Sequence, residues 1–142
     1  RTKPVAHLTC WCGLDDATKE NGCLQYIPGS HEWGLLPKPV IAGEFQGIKD
    51  YLSKQQKEQF EHPQYAEVKA GVGIFHHSLT LHGSGANTSS RPRRAFVINV
   101  FADGVVSDSN EPLLEGVPPV KKGEKMEGQF FPLLFDPRLK NQ

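Results

Sequence analysis

Short apolar runs, each ended within a few residues by glycine, proline or asparagine, leave few folds open to this chain. The runs mix apolar, aromatic and β-branched side chains, which suits buried strands. They lie at 5–14, 23–27, 65–70, 73–77, 79–82 and 95–101. Many short strands separated by turn residues predict an antiparallel sandwich or barrel, and therefore a mainly all-β fold.

The segment between the first two runs is polar and contains Asn21-Gly22, a dipeptide that favours tight turns. We therefore expect strands 5–14 and 23–27 to form a hairpin-like unit. Asp15 and Asp16 lie in the same segment, and turn chemistry makes them a solvated pair rather than a metal site.

Residues 32–66 depart from the strand pattern. From about residue 45 to residue 60 the spacing becomes helical. The side chains on one face of this predicted helix are Ile48, Tyr51, Leu52 and Gln55. The segment is either a helix packed outside the sheet or an insertion that shapes a pocket, and the sequence leaves both open. Residues 104–142 contain five prolines and an apolar stretch at 130–135, which predicts an irregular tail.

Composition excludes several classes of protein. A chain of 142 residues with 37% hydrophobic residues fits one globular domain rather than a disordered segment. Its formal net charge of zero provides no field that would attract nucleic acid. No apolar run approaches the ~20 residues of a membrane span. We therefore expect neither a nucleic acid nor a membrane partner, and no feature indicates a protein partner.

The three cysteines, Cys10, Cys12 and Cys23, form no C-x-x-C pair. Cys10 and Cys12 would face the same way on a strand, where a disulfide between them would be strained. Free thiols are typical of a reducing compartment, so we expect a cytoplasmic location.

Residues 71–94 carry the clearest chemistry. His82 could bind a metal ion, and Arg93, eleven residues later, could bind a carboxylate. Between them lies a small polar run, 83–88, that would let a small acid approach the backbone. This combination predicts a site for an anionic cosubstrate beside a metal.

Two blocks, LTCWCGLDDATKENGCLQYIPGSH (8–31) and FHHSLTLHGSGANTSSRPRRAFVINVF (75–101), resemble the phytanoyl-CoA dioxygenase family. This resemblance implies a double-stranded β-helix of jelly-roll, cupin-like type, with iron held by two histidines and one carboxylate. Three ligands on one face of the ion leave positions for cosubstrate and oxygen.

The resemblance also implies roles for four residues. His82 matches the distal histidine ligand, and Arg93 matches the arginine that binds the far carboxylate of 2-oxoglutarate. Ser84 matches a hydroxyl beside that carboxylate, and Trp11 matches an aromatic side chain that lines the same pocket.

One part of the family pattern is missing. The other two ligands form a His-x-Asp motif that lies shortly upstream of the position of Trp11 in the family. His7 is followed two positions later by Thr9, so it does not supply this motif. We expect the pair to lie upstream of Arg1. Residues 1–142 would then be one partial oxygenase domain with one iron ligand of three.

The remaining histidines are less specific. His76 and His77 are neighbours on a predicted strand and must face opposite ways, so at most one can point at the iron. The family often has a histidine at the place of His77, which fits either a pocket role or a structural one. His31 follows a turn, and we interpret it as architectural.

The resulting hypothesis is an Fe(II)- and 2-oxoglutarate-dependent dioxygenase that hydroxylates a small organic substrate with O2. The resemblance also admits ascorbate as a reductant. Two alternatives stay open. The first is a non-catalytic module of the same fold that binds an organic acid. The second is another metal-dependent cupin-type enzyme, in which His76 or His77 pairs with His82.

Overall fold

A computed structural model describes residues 2–36 and 46–136 of the chain. It contains eight strands, one 3₁₀ helix at Ser30–Trp33 and two short α-helices. The strands are β1 (Thr2–Lys3), β2 (His7–Gly13), β3 (Leu24–Tyr26), β4 (Gln64–Ala66), β5 (Gly73–His77), β6 (His82–Ser84), β7 (Ala95–Phe101) and β8 (Val106–Ser107). The helices are α1 (Gln46–Lys49) and α2 (Lys54–Phe60). The prediction of a mainly β fold is confirmed. None of the helices described is long and apolar enough to cross a bilayer.

The chain divides into two compact units, and the larger one, residues 8–99, contains two three-stranded sheets. Sheet I has the strand order β5-β2-β7, and sheet II has the order β4-β3-β6. In sheet I, Trp11 lies opposite Ile74 and Thr9 lies opposite His76. Since side chains on a strand alternate between faces, these four side chains share one face of sheet I.

Sheet II presents a matching face. Leu24 lies opposite Ala66 and Ser84, and Tyr26 lies opposite His82. Trp11 and Leu24 are buried together in the core of this unit. Tyr26, Ala66, Val68, Ile74 and Ala95 pack against that core. The two faces therefore meet, and we call the volume between them the inter-sheet space.

The smaller unit comprises residues 1–7 and 100–142. Its strands β1 and β8 pair antiparallel, with Thr2 opposite Ser107. Val105 and Met126 are its buried apolar side chains, and the backbone N–H of Met126 donates to the carbonyl of Val105. Most of residues 108–136 form turns and irregular segments, as the proline content predicts.

The predicted hairpin of 5–14 and 23–27 is wrong. Both strands exist, and the chain turns between them at 19–22, but β2 belongs to sheet I and β3 to sheet II. The polar groups of the connecting segment bond to other parts of the chain and do not close a hairpin. The Asp15 carboxylate, for example, accepts hydrogen bonds from the backbone and guanidinium of Arg94.

Two further boundaries differ from the sequence expectations. The helix expected over 45–60 is interrupted, because Ser53 and Gln56 form a capping box that begins α2. Ile48 and Leu52 are buried as expected, but Tyr51 is 60% exposed. The strand expected at 79–82 begins only at His82, since residues 78–80 form a turn. Residue 45 lies outside the described residues.

Asp15 and Asp16, expected to be solvated, each bind a cation. Asp16 Oδ2 accepts a 2.8 Å hydrogen bond from Lys69 Nζ, and its Oδ1 accepts one from the backbone N–H of Ala70. Asp15 receives both guanidinium branches of Arg94, at 2.8 and 2.9 Å. Both carboxylates therefore hold the segment before β3 in place.

We predict that the Asp15–Arg94 pair makes the fold sensitive to acid. Side-chain and backbone hydrogen bonds from Arg94 lower the pKa of Asp15 from 3.8 to about 2. A carboxyl group whose pKa falls on folding stabilises the fold fully above its unfolded value. That contribution disappears as the pH falls from about 4 to about 2. Thermal melting across this range should show a smaller acid-induced decrease in Tm for Asp15→Asn than for the wild type. An unchanged slope would contradict the prediction, and the exposed Asp50→Asn variant is the control.

Candidate functional site

Strand β6 places two of the four predicted site residues in the inter-sheet space. His82 and Ser84 are two positions apart, so they share a face, and Gly83 between them faces away. Hydrogen bonds between Leu81, which precedes β6, and the turn that follows β3 fix this register. The backbone N–H of Ile27 donates to the carbonyl of Leu81, at 2.9 Å. The buried Ser30 hydroxyl accepts from the N–H of Leu81 and donates to the carbonyl of Ile27. Ser30 therefore aligns β6 with the end of β3.

The His82 imidazole has the proton arrangement of a metal ligand. Its Nδ1 lies 2.7 Å from the carbonyl oxygen of Thr80, which can only accept, so Nδ1 carries the proton. The Nε2 atom is then left with its lone pair. Metal-bound histidines usually donate their second ring N–H to an oxygen in this way. His82 is exposed, so an ion could reach Nε2.

Arg93 and Trp11, the other two predicted residues, contact each other. The Arg93 guanidinium carbon lies 5.8 Å from the centre of the Trp11 ring, within the range of a cation–π contact. Arg93 Nε is buried and has no hydrogen-bond partner among the described residues. A buried charged donor without a partner is costly, and a bound carboxylate would satisfy it. The site therefore fits an anionic cosubstrate.

The loop from Gly85 to Arg94 approaches the turn at 19–22 closely. Gly22 has a φ of +81°, and a Cβ there would lie 2.7 Å from the carbonyl oxygen of Gly85. The N–H and the hydroxyl of Thr88 both donate to the carbonyl of Glu20. The Asn87 amide donates to the carbonyl of Arg91. These contacts fix the path of the loop that ends at Arg93.

Two further residues, His76 and Tyr26, lie beside His82. The ring centres of His76 and His82 are 4.4 Å apart, and Tyr26 Oη lies 3.1 Å from His76 Nδ1. Burial, and secondly the nearby His82, lower the pKa of His76 to about 4. Burial raises the pKa of Tyr26 to about 12. Near neutral pH, the imidazole is therefore uncharged and the phenol protonated.

The sequence did not single out Tyr26 and left His76 undecided. The register of β5 against β2 places His76 on the same face as Trp11, and the sequence carries no signal for that register. His77 faces the other way, and its ring centre lies 5.7 Å from that of His31. As expected, only one of the two neighbouring histidines points into the inter-sheet space.

The described residues supply part of a metal site. Within 2–36 and 46–136, no group of three or more histidine, cysteine, aspartate or glutamate side chains is placed to hold an ion. The three cysteines are free, as expected. The structure thus brings Arg93 into contact with Trp11 and places His82 and Ser84 on the face of sheet II that packs against the Trp11 face of sheet I.

Comparison with known proteins identifies similar folds. The solved structures that resemble the chain include the following two. The first is SnoK, a non-heme alpha ketoglutarate dependent carbocyclase from nogalamycin biosynthesis. It has a TM-score of 0.67 at 26% identity over 92% of this chain and 51% of its own. The second is EvdO2 from Micromonospora carbonacea var. aurantiaca, complexed with 2-oxoglutarate. It has a TM-score of 0.51 at 30% identity over 66% of this chain and 37% of its own.

Sequence comparison gives the family. A phytanoyl-CoA dioxygenase from Arabidopsis thaliana is 34% identical over 106 residues, which cover 72% of this chain and 36% of that protein. The chain spans about a third of the length of the relatives that it matches first. The family model for phytanoyl-CoA dioxygenase (PhyH) matches residues 1–95, which include His82, Ser84, Trp11 and Arg93. The chain belongs to the phytanoyl-CoA dioxygenase family.

Proposed function

We propose that the protein is an Fe(II)- and 2-oxoglutarate-dependent dioxygenase that hydroxylates a small organic substrate. One observation carries the proposal. His82, with a lone pair on Nε2, lies on the inter-sheet face of β6, and Arg93, whose buried Nε has no partner among the described residues, contacts the Trp11 ring on the facing sheet. A metal ligand beside a carboxylate-binding cation is what a cosubstrate that binds both would need.

Each of the four residues has its own task. His82 binds the ion through Nε2, and its Nδ1–H bond to Thr80 fixes the ring. The Arg93 guanidinium binds the far carboxylate of 2-oxoglutarate, and Ser84 offers a hydroxyl to the same group. Trp11 supports the guanidinium and keeps water from its buried side. In this class of reaction, O2 and 2-oxoglutarate yield succinate and CO2 while the substrate gains a hydroxyl group.

The other two iron ligands are proposed to be the family's His-x-Asp pair, which the 142 residues do not contain. The proposal further includes a single oxygenase domain with a closed double-stranded β-helix, a cytoplasmic location and a pocket role for the 32–66 insertion. Phe60 and Pro63 of this segment line a cavity of about 160 Å³ with Gln25 and Gly83, on the face of sheet II that points away from the inter-sheet space.

Anaerobic titration with Fe(II) and 2-oxoglutarate tests the proposed function. We expect the visible charge-transfer band of the metal–cosubstrate chelate from a polypeptide that carries an upstream His-x-Asp motif, and none from the 142 residues alone. The His82→Ala variant of the longer polypeptide should lose the band. The His62→Ala variant removes an exposed histidine outside the site and should keep it.

Three outcomes would overturn parts of this proposal. A band that survives His82→Ala would exclude His82 as the ligand. A band from the 142-residue chain would show that its own residues complete the site. If neither polypeptide gives a band while 2-oxoglutarate still binds, the protein is an organic-acid-binding module of the same fold.

A further inference from the structure

His76 and His82 form a close pair of imidazoles in the inter-sheet space. Their ring centres are 4.4 Å apart, and the ring planes are inclined at 52°. They come from different sheets, His76 from β5 and His82 from β6. The Tyr26 ring lies beside both, at 5.2 Å from His76 and 5.8 Å from His82. Two neutral imidazoles in such contact can either stack or hold an ion between their nitrogens.

Both rings have an oxygen beside Nδ1, which is the Thr80 carbonyl for His82 and the Tyr26 hydroxyl for His76. The carbonyl can only accept a hydrogen bond, whereas the hydroxyl can donate or accept one. His76 can bind an ion through Nε2 in the tautomer whose Nδ1–H donates to Tyr26 Oη, and that bond then fixes the ring. This is the arrangement in which imidazoles bind Zn²⁺, Cu²⁺, Ni²⁺ and Fe²⁺.

The Nε2 atom of His76 lacks a partner. The residue is only 8% exposed, and this nitrogen is buried without a hydrogen bond to any described residue. Buried polar atoms are nearly always satisfied, so an orphan of this kind indicates a missing ligand. Since the nearest imidazole is His82, a shared ion would satisfy both nitrogens together.

The spacing of the rings fits one geometry of such a site. Two imidazoles that bind one ion at right angles, with metal–nitrogen distances of about 2.1 Å, place their ring centres about 4.5 Å apart, whereas a tetrahedral ion would place them about 5.3 Å apart. The observed separation is 4.4 Å. A second close pair, His31 and His77, is wider, at 5.7 Å.

We propose that His76 and His82 form a two-nitrogen site for a divalent transition-metal ion, bound through both Nε2 atoms and oriented at His76 by Tyr26. The inference goes beyond the proposed function, because the family resemblance assigns no ligand to His76. It also requires neither 2-oxoglutarate nor a His-x-Asp motif, so it can fail while the proposed function holds.

His77 provides a matched control next to His76 in the chain. The backbone N–H of Leu79 donates to His77 Nδ1, at 3.2 Å. The lone pair of Nδ1 is therefore occupied, and the proton of the neutral ring lies on Nε2. His77 thus has the opposite tautomer to a ligand that binds through Nε2, and its removal should leave metal binding unchanged.

Calorimetric titration of the untagged 142-residue chain with Ni²⁺ tests the proposal. We expect one equivalent to bind, with the affinity lowered at least 30-fold in both His76→Phe and His82→Phe. Tyr26→Phe should lower it about 10- to 100-fold, as expected when a group that orients a ligand is lost. His77→Phe should match the wild type. Wild-type affinity in His76→Phe would overturn the proposal.

A measurement on the wild-type chain tests the proposal even if the variants do not fold. Addition of Zn²⁺ should shift the Nε2 resonances of two imidazoles, His76 and His82, in nitrogen-detected NMR spectra. A shift at His82 alone, or at His31 and His77, would show that the 4.4 Å contact is only packing.

Discussion

Replacing Trp11 with alanine should lower the free energy of unfolding by about 3–5 kcal/mol, the usual cost of deleting a large aromatic side chain from a core. Trp11 is 5% exposed and lies at the centre of the cluster that joins the two sheets. The vacated volume should not close by local collapse alone, because Leu24 and Ile74 are fixed by strand pairing on either side. Urea denaturation at neutral pH would measure the loss.

Trp33→Ala is the control for this prediction. Trp33 is half-buried in the 3₁₀ helix and lies outside the core cluster, so removal of its indole should cost clearly less. Equal losses in the two variants would mean that Trp11 does not join the sheets. Trp11→Phe should retain much of the stability, because a smaller ring still fills part of the volume.

Replacing Arg93 with glutamine should weaken 2-oxoglutarate binding by about two orders of magnitude or more. Loss of one partner from a buried, hydrogen-bonded charge pair typically costs 2–5 kcal/mol. Glutamine has similar reach but no charge, so the carboxylate would lose the planar, bidentate donor that a guanidinium provides. Arg93→Lys should recover only part of the affinity, because an ammonium group restores the charge without that geometry.

Trp11 offers a reporter for this measurement, since the Arg93 guanidinium lies over its ring. In a Trp33→Phe background, Trp11 is the remaining tryptophan, and its fluorescence should change as 2-oxoglutarate binds. Arg91→Gln is the matched control, because Arg91 forms an exposed 3.4 Å ion pair with Glu20. Equal losses in Arg91→Gln and Arg93→Gln would point to general charge attraction and against a specific contact.

The local parts of the fold could be predicted, and the pairing could not. The ranges expected for β5 and β7 match the structure at both ends, because alternation and bounding turn residues are local signals. Alternation does not say which strand is the neighbour, so the adjacent strands β2 and β3 were wrongly paired with each other. The break before α2 did have a signal, Ser53 followed three residues later by Gln56.

The site residues likewise divide into those that the sequence could predict and those that it could not. His82, Ser84, Trp11 and Arg93 were named from a family pattern, and the structure brings Arg93 into contact with Trp11 and places His82 and Ser84 on the facing sheet. The contact between Tyr26 and His76 joins residues 50 positions apart on different sheets, and no local pattern encodes such a pair. It follows only from how the two sheets face each other.

The three-residue length of β6 limits how this chain can change in length during evolution. His82 and Ser84 reach the inter-sheet space only because Gly83 separates them by one alternation. The insertion of one residue before His82, or the deletion of Leu81, would turn both away at once and present Gly83 instead. A change of two residues would restore the alternation. Length variation among natural homologues should therefore accumulate elsewhere, for example around α1 and α2, and spare the stretch from Leu81 to Ser84.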